Sequence, residues 1–274
     1  MSPESDQSHP ESSPAANELL DVAELDPAIR VAVVIPAKNE ARRIAATVRG
    51  ARAIPRVDLV LVVDDGSDDH TQHVAREAGA VVVRHPHNRG KSAALETGAA
   101  VVDMRDEPDH PSRLLLFMDA DLGSSATQAA ALVVPVGFGE ADMAIALIPP
   151  RPGAIPKGPG VALARRRIEA LTGWYAYQPL SGVRCLTRKA YEAATPLAHG
   201  WGAEVGMTID LLRQGYNVVE VPCDLRHRSS GTRTEQRSQR IAVTRDVQMA
   251  ITARQLRAAG SAIVRRLKRS ERPH

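Results

Sequence analysis

The stretch Leu114-Leu-Leu-Phe-Met-Asp-Ala-Asp-Leu122 places two carboxylates directly after a run of apolar residues. A short apolar run of this kind is typical of a strand that is buried on both faces, as in a parallel sheet. At the end of such a strand, Asp119 and Asp121 would repel each other and lose solvation. A divalent cation removes both penalties, because Mg²⁺ is commonly held by one or two carboxylates together with phosphate oxygens and water. A DxD pattern alone often occurs by chance, but after an apolar strand, and with the other polar clusters described below, it indicates a metal site at the strand end.

Further apolar runs alternate with helical patterns along the chain. Strands are predicted at Val31–Ile35, Leu59–Val63, Ala80–Arg84, Asp142–Ile148 and Tyr216–Val221. Helices are predicted at Glu40–Arg52, from Asp68 with Ser67 as N-cap, and at Lys91–Val102, Ala126–Val134, Val161–Leu171 and Trp201–Gln214. Strands that alternate with helices predict an α/β fold with a parallel sheet.

The two ends of the 274-residue chain differ from its middle. Residues 1–28 are rich in Ser, Pro and acidic residues and are expected to be disordered. The domain is expected to cover residues 29–230, and residues 231–274 are expected to form a basic helical extension. Within that extension one apolar face is predicted, made of Met249, Ala253, Leu256, Ile263 and Leu267.

Composition bounds the class of protein. Residues 1–29 contain seven acidic residues and no Lys or Arg, so the remaining chain carries a net charge of +10, which suits anionic partners such as nucleotide sugars. Cys185 and Cys223 are isolated and give no disulfide framework. No apolar run approaches the roughly 18–20 residues that cross a bilayer, and the acidic N-terminus is unlike a signal peptide. These features predict a soluble cytoplasmic protein, or one at the periphery of the inner membrane face.

Polar clusters follow the first four predicted strands. They are Pro36-Ala-Lys-Asn-Glu40, Asp64-Asp-Gly-Ser67, His87-Asn-Arg-Gly-Lys91 and Asp119-Ala-Asp121. Each could be a plain turn by itself, but ligands of open parallel sheets bind beyond the carboxyl ends of the strands. Lys91 either is a solvated surface lysine or directs one charge from a helix N-terminus at a phosphate. Together the clusters predict a rim of acidic and basic groups around a ligand.

Three later features would complete such a site. His227, in Arg226-His-Arg228, is a surface residue unless the segment folds back over the strand ends, where its imidazole would join the metal and an arginine would face phosphate. Glu204 either decorates a helix start or faces an acceptor hydroxyl as base or anchor. The segment Gln178–Gly182 is either a plain turn or a backbone wall against which sugar and acceptor pack.

Six motifs in a fixed order point to one family of enzymes. They are PAKNE (36–40), VDDGS (63–67), NRGKSAAL (88–95), FMDADL (117–122), QPLSG (178–182) and GWGAEVG (200–206). In this order they resemble family-two-type GT-A glycosyltransferases over about residues 30–230. The resemblance implies a Rossmann-like, mostly parallel twisted sheet flanked by helices. It also implies a UDP- or GDP-sugar as donor and Mg²⁺ or Mn²⁺ as cofactor.

The resemblance also implies roles for single residues. Glu40 and Asp65 would hold the nucleoside base and ribose, with Lys91 nearby, and Glu204 would lie by the donor sugar and the acceptor. The implied metal ligands are Asp119, Asp121 and His227, and the implied catalytic residues are Asp121 and Glu204. The expected donor-binding set is Pro36, Ala37, Asn39, Glu40, Asp64, Asp65, Ser67, Lys91, Asp119, Ala120, Leu180, Ser181, Gly182 and Arg228.

Two branches of the family compete for the acceptor. QPLSG (178–182) and LRHR (225–228) resemble glucosyl-3-phosphoglycerate synthases, whereas SGVRCLTRKAYE (181–192) resembles polyprenyl-phosphate sugar synthases. The phosphoglycerate enzymes carry a Gly-Arg-x-Thr segment for the acceptor phosphate, and here the matching stretch is Gly160-Val-Ala-Leu163. Arg165–Arg167, one turn further on, would have to substitute for it. The acceptor and the anomeric outcome stay open.

Two other classes of protein are weighed against this interpretation. Nucleotidyltransferases usually place a Gly-rich, Arg-containing loop after the first strand, and Pro36–Glu40 has no glycine. A surface-binding module is suggested by residues 226–274, which hold thirteen basic and three acidic residues. That tail either packs on the core with a solvated face or contacts anionic lipid. Nucleic acid is not expected, because the basic run carries no aromatic residues for stacking. A homodimer is a further association to test.

Overall fold

The computed structural model describes residues 21–149, 158–227 and 241–256. Within these residues one sheet has the spatial strand order β3-β2-β1-β4-β6-β5-β7. The strands are β1 Val31–Ala37, β2 Val57–Asp64, β3 Val81–Arg84, β4 Leu114–Phe117, β5 Met143–Leu147, β6 Arg184–Leu186 and β7 Val218–Pro222. The helices are α1 Ile44–Arg52, α2 Thr71–Glu77, α3 Lys91–Asp103, α4 Ala130–Gly137 after a 3₁₀ helix at Gly123–Ala129, α5 Pro159–Thr172, α6 Arg188–Ala194 and α7 Gly202–Arg213. A last helix, α8, covers the described residues 241–256.

The sheet is mostly parallel, as predicted. Strand β1 pairs in parallel with β2 and β4, β2 with β3, and β5 with β7. Strand β6 is antiparallel to both of its neighbours, β4 and β5. Neither β6 nor α6 is predicted from the sequence. Strand β6 is missed because Arg184–Leu186 is only three residues long and begins with an arginine, so it gives no apolar run. The α/β class is confirmed, and the sequence misses this reversal at the centre of the sheet.

Helices cover both faces of the central strands. Along β1, Val31, Val33 and Ile35 point to one face, where α1, the 3₁₀ helix and α4 pack. Ala32 and Val34 point to the other face, where α3, α6 and α7 pack. Burial on both faces explains why these strands are continuous apolar runs rather than alternating ones. It also leaves polar side chains only at the strand ends.

Helix α8 belongs to the same packing unit as the rest of the domain. Val247 and Ile251 of α8 are buried against Ile168 of α5 and Ile209 of α7. The boundary expected at residue 230 therefore separates no packing unit within the described residues. Residues 231–240 and 257–274 lie outside the described part of the chain. Among the described residues, no helix is long and apolar enough to span a bilayer.

The two chain ends differ in how they join the fold. In α8, Met249 and Leu256 of the predicted apolar face are exposed, and the buried face is a different one that includes Val247. At the other end, Val22 and Leu25 are buried in the core. Residues 21–28 are thus part of the fold, so the expectation of disorder is wrong for them, and residues 1–20 lie outside the described residues.

Candidate functional site

The loops after β1 and β2 are tied together by hydrogen bonds. The backbone N–H of Asn39 donates to Ser67 Oγ at 3.0 Å, and the N–H of Asp68 donates to Asn39 Oδ1 at 2.8 Å. The N–H of Glu40 donates to Thr71 Oγ1 at 2.8 Å. Ser67 therefore does not cap α2, which begins at Thr71. Its hydroxyl fixes the neighbouring loop instead.

A pocket of about 260 Å³ opens beside these loops. It is lined by Asn39, Glu40, Arg42, Arg43 and Asp69. Pro36 and Ala37 end β1 next to the loops, and Ala37 O accepts a hydrogen bond from Asp65 N at 2.8 Å. Two residues expected to bind the donor, Asn39 and Glu40, thus line a polar pocket at the strand edge.

Asp64 closes the turn that follows β2. Its Oδ1 accepts a hydrogen bond from Ser67 N at 3.0 Å, and its Oδ2 lies 3.4 Å from Arg84 Nε. Only 1% of Asp64 is exposed. The carboxylate therefore stabilises the turn, and a role for Asp64 in donor binding stays a prediction.

Asp65 fixes the turn that precedes α3. Its carboxylate accepts hydrogen bonds from the N–H groups of Arg89 and Gly90, both at 2.8 Å, and lies 2.7 Å from His85 Nδ1. Burial opposes ionisation, but the hydrogen bonds from Arg89, His85 and Gly90 outweigh it, so the pKa of Asp65 is lowered. An acid that is ionised at neutral pH thus holds the backbone that places Lys91 at the start of α3.

Lys91 brings three predicted site residues together. Its Nζ lies 2.7 Å from Asp119 Oδ1, at the end of β4, and 3.3 Å from Glu204 Oε1, in the first turn of α7. Burial disfavours the ammonium charge, but Asp119 and Glu204 more than compensate, and the pKa of Lys91 is raised. The cation therefore stays charged between the two acids.

His227 lies back over the strand ends. Its Nδ1 is 3.1 Å from Asp121 Oδ1 and 3.8 Å from Asp119 Oδ2. The segment is held there because Arg226 N donates to Ser125 Oγ at 2.9 Å. Burial lowers the pKa of His227, but the hydrogen bond to Asp121 and the charge of Asp119 outweigh it, so the pKa is raised. The adjacent Arg228 lies outside the described residues.

The spacing of Asp121 and His227 fits two neighbouring ligands of one cation. Adjacent ligands of an octahedral ion with bonds of about 2.1 Å lie about 3 Å apart, which matches the 3.1 Å between His227 Nδ1 and Asp121 Oδ1. In the described part of the chain, no group of three His, Cys, Asp or Glu side chains is arranged to hold a metal ion by itself. The remaining ligands would thus come from elsewhere, and phosphate oxygens and water are what Mg²⁺ usually takes.

The segment before β6 forms a wall beside Lys91. A Cβ at Gly182 would overlap the Lys91 ammonium and would lie 3.0 Å from Asp119 Oδ1. Ser181 Oγ and Glu204 Oε2 are buried and have no hydrogen-bond partner among the described residues. Leu180 is half-buried in the same segment. The wall and the adjacent first turn of α7 thus contain one hydroxyl and one carboxylate oxygen without a hydrogen-bond partner in the described residues.

Ala120, between the two acids of the β4 end, contributes its backbone. Its carbonyl oxygen accepts a hydrogen bond from Thr47 Oγ1 at 2.8 Å, and the same hydroxyl accepts one from Gly123 N at 2.9 Å. Thr47 is fully buried in α1. This pair of bonds fixes the backbone on both sides of Asp121.

We expect Gly182→Ala to lower kcat/KM by about 100-fold while the protein stays folded. The added methyl group displaces the end of a flexible lysine, which the fold tolerates, but misplacing a charged group by about 1 Å can reduce the rate this far. Steady-state kinetics and a thermal melt check the two parts. Unchanged kcat/KM would contradict the close approach of Lys91 to the wall.

Arg184 supports the wall from below, and the sequence gives no hint of it. This side chain on β6 is fully buried. It donates to the carbonyl oxygens of Ser181 at 2.8 Å, Pro179 at 3.2 Å and Glu204 at 3.0 Å, and to Thr208 Oγ1 at 2.9 Å. Burial lowers the pKa of Arg184 to about 10, so it remains charged at neutral pH. One guanidinium thus joins the wall to the first turn of α7.

We expect Arg184→Met to lower the free energy of unfolding by about 3 kcal/mol or more, because it leaves several buried oxygens without donors. Urea denaturation measures the change. Arg166→Met, at an exposed position of α5, is the matched control and should change it by less than about 0.5 kcal/mol. Equal stability of the two variants would contradict the role given to Arg184.

Comparison with known proteins adds an independent set of observations. Residues 32–188 match the model of glycosyl transferase family 2. The chain is 30% identical to glycosyltransferase AglJ of Haloferax volcanii over 214 residues, which covers 74% of this chain and 65% of AglJ. It is 28% identical to polyprenol monophosphomannose synthase of Mycolicibacterium smegmatis, over 77% of this chain and 83% of that one. The chain thus spans less than two thirds of the length of AglJ.

A solved structure is similar over most of the fold. It is glucosyl-3-phosphoglycerate synthase from Mycobacterium tuberculosis in complex with Mn²⁺, uridine diphosphate and phosphoglyceric acid. The TM-score is 0.67 at 25% identity, and the match covers 90% of this chain and 84% of the other. The two branches distinguished by sequence motifs both recur among the similar proteins.

Proposed function

Because the chain belongs to glycosyl transferase family 2, we propose that it transfers a sugar from a nucleoside diphosphate sugar to an acceptor at the strand-end site. The observation that carries the proposal is the position of Lys91 between Asp119 and Glu204, beside the Asp121–His227 pair. A half-buried cation between two acids suits a reaction in which a diphosphate leaves and a hydroxyl attacks.

The diphosphate end of the site is supported by charge. Lys91 stands at the N-terminus of α3, where the backbone N–H groups and the helix dipole favour an anion. Asp121 and His227, with Asp119 beside them, would hold Mg²⁺ or Mn²⁺, and the bound ion would act as a Lewis acid on the departing diphosphate. The pocket at Asn39 and Glu40 would then receive the nucleoside.

The transfer end of the site is supported by two buried polar atoms. Glu204 Oε1 contacts Lys91, whereas Glu204 Oε2 has no hydrogen-bond partner in the described residues. A buried carboxylate oxygen left in this way favours a bound hydroxyl, which it can orient or deprotonate. Ser181 Oγ offers a second hydrogen bond in the same wall. We assign Glu204 to the sugar or acceptor hydroxyl nearest the reacting carbon.

A small phosphorylated acceptor is the first candidate. The similar synthase from Mycobacterium tuberculosis was solved with phosphoglyceric acid. In this chain Arg165 is not free to take the acceptor phosphate, because it donates to the carbonyl oxygens of Ala176 and Tyr177. Arg166 and Arg167 are exposed on α5 and are the better candidates.

A donor screen tests the proposed function. UDP- and GDP-sugars are supplied with Mg²⁺ or Mn²⁺, and release of nucleoside diphosphate is measured with and without phosphoglycerate or a polyprenyl phosphate. We expect release with one donor that depends on the metal and is stimulated by one acceptor class. Release of pyrophosphate would instead indicate nucleotidyl transfer, and no release with any donor would contradict the proposal.

A lipid-phosphate acceptor is the second candidate, and the outer face of α8 favours it. Ile241, Met249 and Leu256 are 66%, 60% and 68% exposed, spaced along one side of the helix. An exposed apolar face in a basic region suits the boundary of an anionic bilayer. The similar polyprenol monophosphomannose synthase, by its name, acts on a lipid-linked phosphate.

We expect the protein to float with vesicles that contain anionic lipid at low salt, and the double variant Met249→Ser/Leu256→Ser to lose most of the bound fraction. Met104→Ser, at a more exposed position outside α8, is the matched control and should bind like the unchanged protein. Absence of flotation at low salt would leave the small acceptor as the remaining candidate.

A further inference from the structure

Helix α8 reaches the start of α7, and both helices lie beyond residues 32–188, which match the family model. Asp246 Oδ2 accepts a hydrogen bond from Trp201 N at 3.3 Å, immediately before α7 begins. A Cβ at Gly200 would overlap this same oxygen, and a Cβ at Gly202 would lie 2.8 Å from the Asp246 carbonyl oxygen. Two glycines thus allow the side chain and the backbone of Asp246 to approach the start of α7.

A second contact joins the two helices further along. Arg254 of α8 donates through Nε to Asp210 Oδ1 at 2.9 Å and to the carbonyl oxygen of Gly206 at 3.2 Å. Its Nη2 also contacts Asp210 Oδ2. In sequence, Glu204 lies between Trp201 and Gly206, the residues at which α8 contacts the start and the middle of α7. Movement of α8 would therefore change the position of the Glu204 carboxylate.

The charge of Asp246 suits its place. Only 7% of the residue is exposed, and its carboxylate stands at the N-terminus of a twelve-residue helix, where negative charge is favourable. Arg245 contacts the other carboxylate oxygen at 3.0 Å. Asp246 therefore acts as an N-cap supplied by a distant helix, and no side chain of α7 itself caps its start.

We propose that Asp246 is a positioning residue for Glu204, acting through the first turn of α7. The proposal rests on the proposed function, since it assumes that Glu204 contacts the substrate. It makes α8 part of the catalytic domain. Removal of the Asp246 carboxylate would loosen the α7 start and move Glu204 relative to Lys91, 3.3 Å away.

A double-mutant cycle tests this inference in the full chain. Asp246→Ala is expected to lower kcat by about 10- to 100-fold with the donor KM within about 3-fold, because a misplaced group costs this much. Asp246→Asn, which keeps an oxygen for Trp201 N–H, should recover most of the rate. In a Glu204→Gln background, Asp246→Ala should lower kcat by less than about 3-fold, since the two residues act as one unit.

Matched measurements keep the outcomes separate. Gln248→Ala, on the exposed side of α8, should leave kcat unchanged. Amide exchange at residues 202–206 should be faster in Asp246→Ala than in Gln248→Ala, whether or not a donor is known. The inference would be overturned if the kcat loss of the double variant equalled the product of the two single losses, or if amide exchange at residues 202–206 were the same in Asp246→Ala as in Gln248→Ala.

The proposed function would instead be overturned if the protein without substitutions turned over no donor. If Asp246→Ala does not fold, the same cycle and exchange comparison are made with Asp246→Asn, where a smaller kcat loss must still vanish in Glu204→Gln.

Discussion

Asp121→Asn is expected to lower kcat by about 10³-fold or more and to remove the metal dependence of donor binding. Asparagine keeps the shape of the side chain next to His227 but loses the charge that balances a divalent cation. Stabilisation of a leaving diphosphate by a bound cation supplies several kcal/mol to the transition state, which is of this order in rate. Release of nucleoside diphosphate measures kcat, and calorimetry with Mn²⁺ and nucleoside diphosphate measures binding.

The control for this substitution is Asp109→Asn, in an exposed segment away from the strand ends. It changes the net charge equally and should leave both readouts unchanged. Turnover by Asp121→Asn at the rate of the control would refute the assignment of Asp121 to the metal.

Glu204→Gln has the second-largest expected effect, a loss of about 10²- to 10³-fold in kcat with donor binding retained. The substitution is nearly isosteric, and Arg184 still binds the backbone of residue 204, so the first turn of α7 should stay in place. The side chain can no longer orient or deprotonate a hydroxyl as a carboxylate does, and general acid–base catalysis contributes this order of rate. Steady-state kinetics against donor and acceptor, with calorimetry for donor binding, give the two quantities.

Glu169→Gln, on the exposed side of α5, serves as the control. A Glu204→Gln protein with normal kcat but a weaker donor affinity would mean that Glu204 binds the donor and takes no part in transfer. Normal values of both would remove Glu204 from the site.

The rim of the site could be predicted because parallel strands end at one edge. Lys91 and Asp119 each come after an apolar run that can be recognised in the sequence. The sheet brings Lys91 Nζ to 2.7 Å from Asp119 Oδ1. The sequence predicts His227 in the site only if its segment folds back, and the structure places His227 Nδ1 3.1 Å from Asp121 Oδ1. Local patterns were sufficient for these residues because the sheet determines their neighbours.

The supports of the site could not be predicted from local patterns. The sequence favours a surface position for Arg184, because buried arginines are rare. The antiparallel strand β6 instead places its guanidinium beneath Ser181. Asp246 contacts Trp201 across 45 positions of sequence, and that contact depends on the glycine at residue 200. Ser67 suits a helix cap by composition, but a longer-range bond to Asn39 takes its hydroxyl.

The buried face of α8 could not be predicted from the spacing of apolar residues. That spacing selects Met249 and Leu256, which form an exposed apolar face, whereas the side that packs on α5 and α7 carries Val247, Asp246 and Arg254. The two charged residues are buried because each finds a partner on or beside α7. Periodicity alone assigns charged residues to the solvent, so it does not identify a buried side whose charged residues are paired.

Crystals grown with Mn²⁺ and a nucleoside diphosphate, with anomalous diffraction collected at the manganese edge, offer the most direct measurement. We expect one anomalous peak within coordination distance of Asp121 and His227, with diphosphate oxygens completing its shell and the Lys91 ammonium beside them. A peak elsewhere, or a diphosphate bound without any metal near Asp121, would contradict the account of the site.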